Sequence, residues 1–458
     1  MNKLALRSKR VITETNIEAA TLVIIDGLID AILPYEAQVD CKLVDYGNLV
    51  IMPGLVDTHV HINEPGRTDW EGFNTATQAA AAGGITTLVD MPLNCIPATV
   101  SKAALDIKLN ALKGKLWVDC GFWGGVIPES ITNNGAQLDE LMSAGVLGAK
   151  SFLIHSGVDE FPNVSAEDVK KALPIMAKHQ VPYLIHAELE QPLDDSEDAP
   201  EIGDKYQSFL DSRPRKWEND AIDLMVSLGE QAKEQGVDAH IHIVHLSSSD
   251  AIEKIVYAKK SGLKFTAETC PHYLTLFSET IPDGKTLFKC CPPIREDENR
   301  QKLWQALKEG DIDFIVSDHS PCTPELKKID SGDLEHAWGG ISALQFGLPL
   351  IWTEAKQRGF SLRDISYLMS TATAKFVGLN DKKGKLAVGA YADVLVFDDE
   401  KQVTISSDMI KHKHKITPYV GKQVIGEIVN TYLRGQLVYS EQDIIGFPQG
   451  NTLLKHDY

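Results

Sequence analysis

Asp57-Thr-His-Val-His-Ile-Asn-Glu-Pro-Gly66 follows directly on an apolar run, Leu49 to Val56, that is interrupted only by Pro53 and Gly54. In a β-strand, residues i and i+2 point to the same face, so the imidazoles of His59 and His61 converge on one spot. Neutral imidazole is the commonest metal ligand among side chains. The pair is therefore either half of a metal site at a strand end or two ordinary polar strand residues. The surrounding sequence decides between them.

Downstream of this stretch, short apolar runs alternate with helical patterns. Strands are predicted at Thr86 to Met91, Val118 to Val126, Gly148 to Leu153, Pro182 to His186, Ala239 to Leu246, Lys264 to Thr269 and Phe314 to Ser317. Helices are predicted between several of them, at Ser165 to His179, Glu218 to Glu234 and Ser249 to Lys260. Strand alternating with helix implies parallel βα units. About eight such units over roughly 330 residues favour a closed (β/α)8 TIM barrel.

Both ends of the chain read differently. Thr21 to Ile25 and Leu28 to Leu33 flank Asp26-Gly27, a hairpin signal. Ala392 to Phe397, Ile428 to Leu433 and Leu437 to Tyr439 are further strand candidates, the last two separated by Arg434-Gly435. The expected division is 1–52 and 386–458 as one small β-domain, a β-sandwich built from both termini, around a barrel at 53–385. Residues 190–204, acidic and rich in Pro and Asp, read as an exposed loop near the site.

The 458 residues with 43% hydrophobic content suffice for such a core. A net charge of -19 argues against nucleic-acid and acidic-membrane partners, which need a basic footprint. The seven cysteines are odd in number, widely spaced and without a CxxC, which fits a reducing, cytoplasmic compartment rather than a disulfide framework. Neither a signal peptide nor an apolar run of about 20 residues is evident.

Barrel enzymes carry their chemistry at the C-terminal ends of the strands. His186, His245 and Asp318 each end an apolar run, and Lys150 sits inside one, where a lysine is out of place. Singly, each has an ordinary explanation: a hydrogen-bonded core histidine, a helix cap at Asp318, a snorkelling lysine. Together with His59 and His61 they are the residue types that a two-metal hydrolytic centre requires. Two divalent ions about 3.5–4 Å apart share a hydroxide and polarise a carbonyl. Zinc accepts imidazole and carboxylate, and cobalt or manganese satisfies the same set. A lysine ammonium has only donors. Its free amine, however, captures carbon dioxide as a carbamate (N6-carboxylysine at Lys150), an anionic bridging ligand. Asp318 is placed to take a proton from the bridging water and hand it to a leaving nitrogen. His272 and His319 are candidate supporting residues, while His179, His240, His412, His414 and His456 read as surface residues.

Several stretches resemble the amidohydrolase superfamily and, within it, the cyclic amidases. They are Pro53-Gly-Leu-Val-Asp-Thr-His-Val-His61, Gly148-Ala-Lys-Ser-Phe152, His186-Ala-Glu188, Val244-His-Leu-Ser-Ser248, Glu268-Thr-Cys-Pro-His-Tyr273, Cys291-Pro-Pro-Ile-Arg295, Ser317-Asp-His-Ser-Pro-Cys322 and the tail Gly384 to Val394. Asn63 to Phe73, Met91-Pro-Leu-Asn94, Ala337-Trp-Gly-Gly-Ile341 and His414-Lys-Ile-Thr-Pro-Tyr419 are similar to allantoinases in particular. The resemblance implies opening of the hydantoin ring of allantoin to allantoate, a step of purine catabolism. It assigns His59 and His61 to the more buried metal and His186 and His245 to the other, with carboxylated Lys150 bridging and Asp318 as ligand and acid–base group. Dihydroorotases usually carry an arginine where this chain has Asn63, to hold the substrate carboxylate; Arg67 is a possible replacement. Hydantoinases usually carry a tyrosine where this chain has His155, which becomes a candidate oxyanion or ureido contact, or merely a residue of the mouth. Main-chain substrate contacts map to Cys291 and Gly339, and a homo-oligomer, such as a homotetramer, is implied. Competing readings are a dihydroorotase or hydantoinase, a mononuclear deaminase, and a non-catalytic scaffold of the same fold.

Overall fold

The computed structural model describes residues 3–191 and 201–457. Most of the expected acidic loop at 190–204 thus lies outside the described residues. Its described downstream end is anchored, with Gly203 and Asp204 carbonyls accepting from the amides of Leu334 (2.9 Å) and Gly284 (2.7 Å).

The two ends of the chain share one mixed, nine-stranded sheet. Its central strand is Val50–Pro53, which pairs parallel with Lys3–Ile12 on one side and antiparallel with Val394–Thr404 on the other. Ile17–Ile25 and Leu28–Pro34 extend one edge; Gln423–Leu433, Gln436–Ser440 and Asp443–Ile444 extend the other. The Asp26-Gly27 turn has φ of 48° and 87°, the pair of positive values that suits a tight hairpin between right-twisted strands. Arg10 clasps Asp399 with two hydrogen bonds of 2.7 and 2.8 Å, tying the N-terminal strand to the C-terminal half. The tail then leaves this sheet: Thr452–Leu453 pairs parallel with Cys120–Gly121 of the central segment.

In the central segment, parallel strands follow one another in chain order. They are Leu55–Val60, Ile85–Asp90, Asp119–Phe122 continuing as Gly124–Gly125, Ala149–Phe152, Pro182–His186, His240–Ile243, Lys264–Thr269 and Phe314–Ile315. A further parallel pairing, Val60 with His319, joins the end of the series to its beginning. The strands are almost wholly buried, which is why they read as continuous apolar runs rather than alternating ones. Helices lie between many of them. Ala166–His179 starts at a capping box in which Asp168 accepts from the Ser165 amide at 2.9 Å while its own amide donates to Ser165 Oγ at 3.3 Å. Arg215–Glu234 buries Trp217, Ala221, Ile222, Met225, Leu228 and Ala232, a stripe at helical spacing.

Two strands end earlier than the sequence suggests. His240–Ile243 and Phe314–Ile315 stop short of His245 and Asp318, whose φ values are 38° and 45°. A left-handed residue cannot continue a strand, so the chain turns there and re-aims these two side chains. Among the described residues no helix is long and apolar enough to cross a membrane.

Candidate metal centre

The strand ends bring His59, His61, Lys150, His186, His245 and Asp318 into one buried cluster. His59 Nε2 and His61 Nε2 lie 3.1 and 3.6 Å from the same oxygen, Asp318 Oδ1. Lys150 Nζ is 3.3 Å from His59 Nε2. The His245 ring is centred 5.4 Å from that of His59 and 4.6 Å from that of His186. His186 stacks on Phe152 at 4.5 Å, and Lys150 Nζ sits 4.9 Å above the same ring.

Burial lowers the Lys150 pKa to about 8, partly offset by Asp318 and Glu268. At such a value roughly a tenth of the amine is free at pH 7, far more than for an ordinary lysine. Burial alone would raise Asp318, but His59, His245 and His61 hold its carboxyl well below the usual carboxylate range. Burial lowers His245 and His61 so far that both imidazoles stay neutral, as ligation requires. Ligand atoms of His59, His245 and Asp318 all lie within 4.8 Å of one another, and His245 Nδ1 has no hydrogen-bond partner among the described residues. A neutral, buried imidazole with a ring nitrogen left unpartnered, set close to a carboxylate and a second imidazole, fits a divalent cation.

Each half of the cluster is braced by a carboxylate that sequence reasoning did not single out. Glu268 contacts His59 Nδ1 and takes a 3.1 Å hydrogen bond from His242 Nε2. Although burial pushes Glu268 up, the two histidines hold its pKa down to about 2. Glu188 accepts from His186 Nε2 at 2.7 Å and is itself gripped by Arg213 at 3.2 and 2.5 Å. Asp57 accepts the His59 amide at 3.1 Å and the Ser317 amide at 3.2 Å, linking the first strand to the turn that carries Asp318. The available signal was a charged residue at the end of an otherwise apolar strand, which Glu268 shares with Lys150. Neither of the other two carries it as clearly.

Among the remaining histidines, His319 Nδ1 accepts the amides of Ala343 and Leu344 at 3.1 and 3.3 Å, a supporting position. His412, expected at the surface, is buried: its ring lies 5.3 Å from that of His319 and its Nε2 donates to the Ile416 carbonyl at 3.2 Å. The strap 409–417 crosses the central segment there, with Thr417 Oγ1 donating to the Ser342 carbonyl at 2.7 Å. That long-range packing hides His412. His240 is half-buried and pairs with Thr266 at 2.8 Å.

The expected substrate contacts form a looser rim. Asn63 is buried and donates to the Pro321 carbonyl at 3.1 Å, leaving its own Oδ1 without a partner among the described residues. His155 is 60% exposed, accepting the Gly157 amide at 3.1 Å. Cys291 and Gly339 touch: a Cβ on Gly339 would stand 3.0 Å from Cys291 Sγ. Lys327, unremarked in the sequence, joins their loops. Its buried ammonium donates to the carbonyls of Lys289 (2.9 Å), Trp338 (2.8 Å) and Gly340. Arg67 is committed elsewhere, to the Asn94 carbonyl at 2.8 Å, the Glu160 carboxylate and the face of Trp70.

The Amidohydrolase family matches residues 50–438. The chain is 46% identical to an allantoinase of Streptomyces avermitilis, over 98% of both sequences. It is 44% identical to an allantoinase of Arabidopsis thaliana, over 95% of this chain and 88% of the relative. An L-hydantoinase from Arthrobacter aurescens has a similar structure, with a TM-score of 0.89 at 27% identity over 99% of this chain and all of that one. The histidine-lysine-aspartate cluster thus sits in a sequence that matches this family over most of its length, and the chain belongs to the amidohydrolase family and, within it, to the allantoinases.

Proposed function

We propose that this chain hydrolyses the hydantoin ring of allantoin to give allantoate. The observation that carries the reading is the convergence of four imidazoles, one carboxylate and one amine of lowered pKa in a single buried cluster. The proposed frame is a (β/α)8 barrel at 53–385 with a β-sandwich formed by 1–52 and 386–458. The ordered parallel pairings and the shared terminal sheet support it.

His59 and His61 would hold one divalent ion, His186 and His245 a second, with Asp318 a further ligand. Zinc is the proposed metal, with cobalt and manganese as alternatives. When bound, the pair supplies a low-pKa water and polarises the scissile carbonyl. Lys150 would contribute as a carbamate, an anionic ligand: its free amine adds to carbon dioxide, an N–C bond forms and one proton leaves. Glu268 fixes the tautomer of His59 by accepting from Nδ1, which leaves the Nε2 lone pair free. Glu188 and Arg213 orient His186. Asp318 accepts the proton of the attacking water and delivers it to the ring nitrogen as the C–N bond breaks and the C–O bond forms.

Allantoin is neutral, and the charged groups of the rim described above are already engaged, Lys327 by carbonyls and Arg67 by Glu160. Asn63 has an open acceptor, Arg67 is engaged by Glu160, and the main chain at Cys291 and Gly339 is placed for amide contacts. His155 is a candidate contact from the mouth. The structural neighbours named as hydantoinases favour only the alternative that this chain opens other cyclic amides, as a hydantoinase or a dihydroorotase would. We further propose a cytoplasmic homo-oligomer, such as a homotetramer. The test is hydrolysis of allantoin before and after metal is removed with a chelator. Activity should vanish on removal and return with two equivalents of divalent metal per chain; activity that survives complete metal removal would refute the reading.

A further inference from the structure

The turn after the strand Lys264–Thr269 places two side chains beside Asp318 that the proposed reaction does not use. Cys270 and His272 are both fully buried. One ligand atom from each of Cys270, His272 and Asp318 lies within 4.8 Å of the other two. Neither ring nitrogen of His272 has a hydrogen-bond partner among the described residues. An imidazole buried in this way gives up its hydrogen bonds to water and regains none, so a ligand that satisfied it would be favoured.

The donor set selects the ligand. A thiolate, an imidazole and a carboxylate suit soft and borderline divalent ions, zinc and cadmium among them, and not magnesium or calcium. Bond lengths of about 2.0–2.3 Å put tetrahedral donors roughly 3.3–3.6 Å apart, so three atoms within 4.8 Å of one another need to close by no more than about 1.5 Å. Neither ring nitrogen of His272 makes a hydrogen bond among the described residues, so the adjustment breaks none there.

We propose that Cys270, His272 and Asp318 form a third cation site, for a soft or borderline divalent ion, whose filling diverts Asp318 and inhibits hydrolysis. On binding, the Cys270 S–H bond breaks, a sulfur–metal bond forms and one proton is released; nothing is oxidised or reduced. Only the inhibition rests on the role proposed above for Asp318, since the ion would bind whatever reaction the centre performs.

The experiment titrates cadmium into the zinc-loaded protein and follows the ultraviolet thiolate-to-cadmium absorption alongside allantoin hydrolysis. The wild type should gain one equivalent of thiolate-bound cadmium per chain while the rate falls at least about 10²-fold, the lower end for losing an acid–base group. Cys270→Ser should keep its basal rate, lose that one equivalent of absorption and escape the inhibition. His272→Gln should need at least about 10-fold more cadmium for the same effect. Equal inhibition of wild type and Cys270→Ser would place the cadmium in the catalytic centre and overturn the proposal. So would unchanged absorption in Cys270→Ser, or absorption without inhibition in an active wild type. A wild type inactive on allantoin would refute the proposed reaction, while the absorption difference would still test the site.

Discussion

At the floor of the site, catalytic candidates are held side chain to side chain: His59 by Glu268, His186 by Glu188 and Arg213, with the Asp318 turn tied to Asp57 through the Ser317 amide. At the rim the same work is done through the backbone. Lys327 gathers three carbonyls from the two loops that carry Cys291 and Gly339, and His155 stands largely in solvent. The floor therefore depends on the identity of particular side chains, whereas the rim depends on where main-chain groups are held. Floor substitutions should change metal content and kcat; rim substitutions should change KM and stability.

The largest effect is expected for Lys150→Ala. Without the proposed carbamate, activity should be almost entirely lost and bound metal should fall from about two per chain to one or fewer. Short-chain carboxylic acids should restore part of it. Metal analysis and hydrolysis on one preparation check this, and wild-type values in both would break the distinction at its strongest point. Asp318→Asn comes next. It keeps the size but removes the base, so kcat should drop at least about 10²-fold, with less metal lost than in Lys150→Ala. The smallest expected effect is at the rim. Lys327→Met leaves buried carbonyls unpaired and should cost about 2–4 kcal/mol in denaturant unfolding. KM should rise several-fold with metal content intact. A fall in bound metal there would show that floor and rim are not separable.

The floor was legible in the sequence because each candidate ligand sits in or just after an apolar strand, and the parallel order of the strands brings their ends together. His59, His61, Lys150, His186, His245 and Asp318 could be singled out for that reason. Strand lengths were less legible, since the left-handed turns at His245 and Asp318 are carried by non-glycine residues with no turn signature. His412 was misread because the strap 409–417 is buried only by segments far away in sequence. Lys327 and Arg213 carried no signal, because a lysine or arginine in a loop looks the same whether it faces solvent or three carbonyls. The exposure of His155 likewise depends on a loop path that no local pattern encodes.

A floor of candidate metal ligands is combined with a rim suited to a neutral cyclic amide. Dihydroorotate carries a carboxylate, and this rim offers it Asn63 and an Arg67 already paired with Glu160. A desolvated, poorly paired anion costs several kcal/mol. The decisive measurement is steady-state hydrolysis of allantoin and dihydroorotate on one metal-loaded preparation. kcat/KM for allantoin should exceed that for dihydroorotate by at least about 10³, equivalent to roughly 4 kcal/mol of transition-state discrimination. Equal values, or a preference for dihydroorotate, would contradict it.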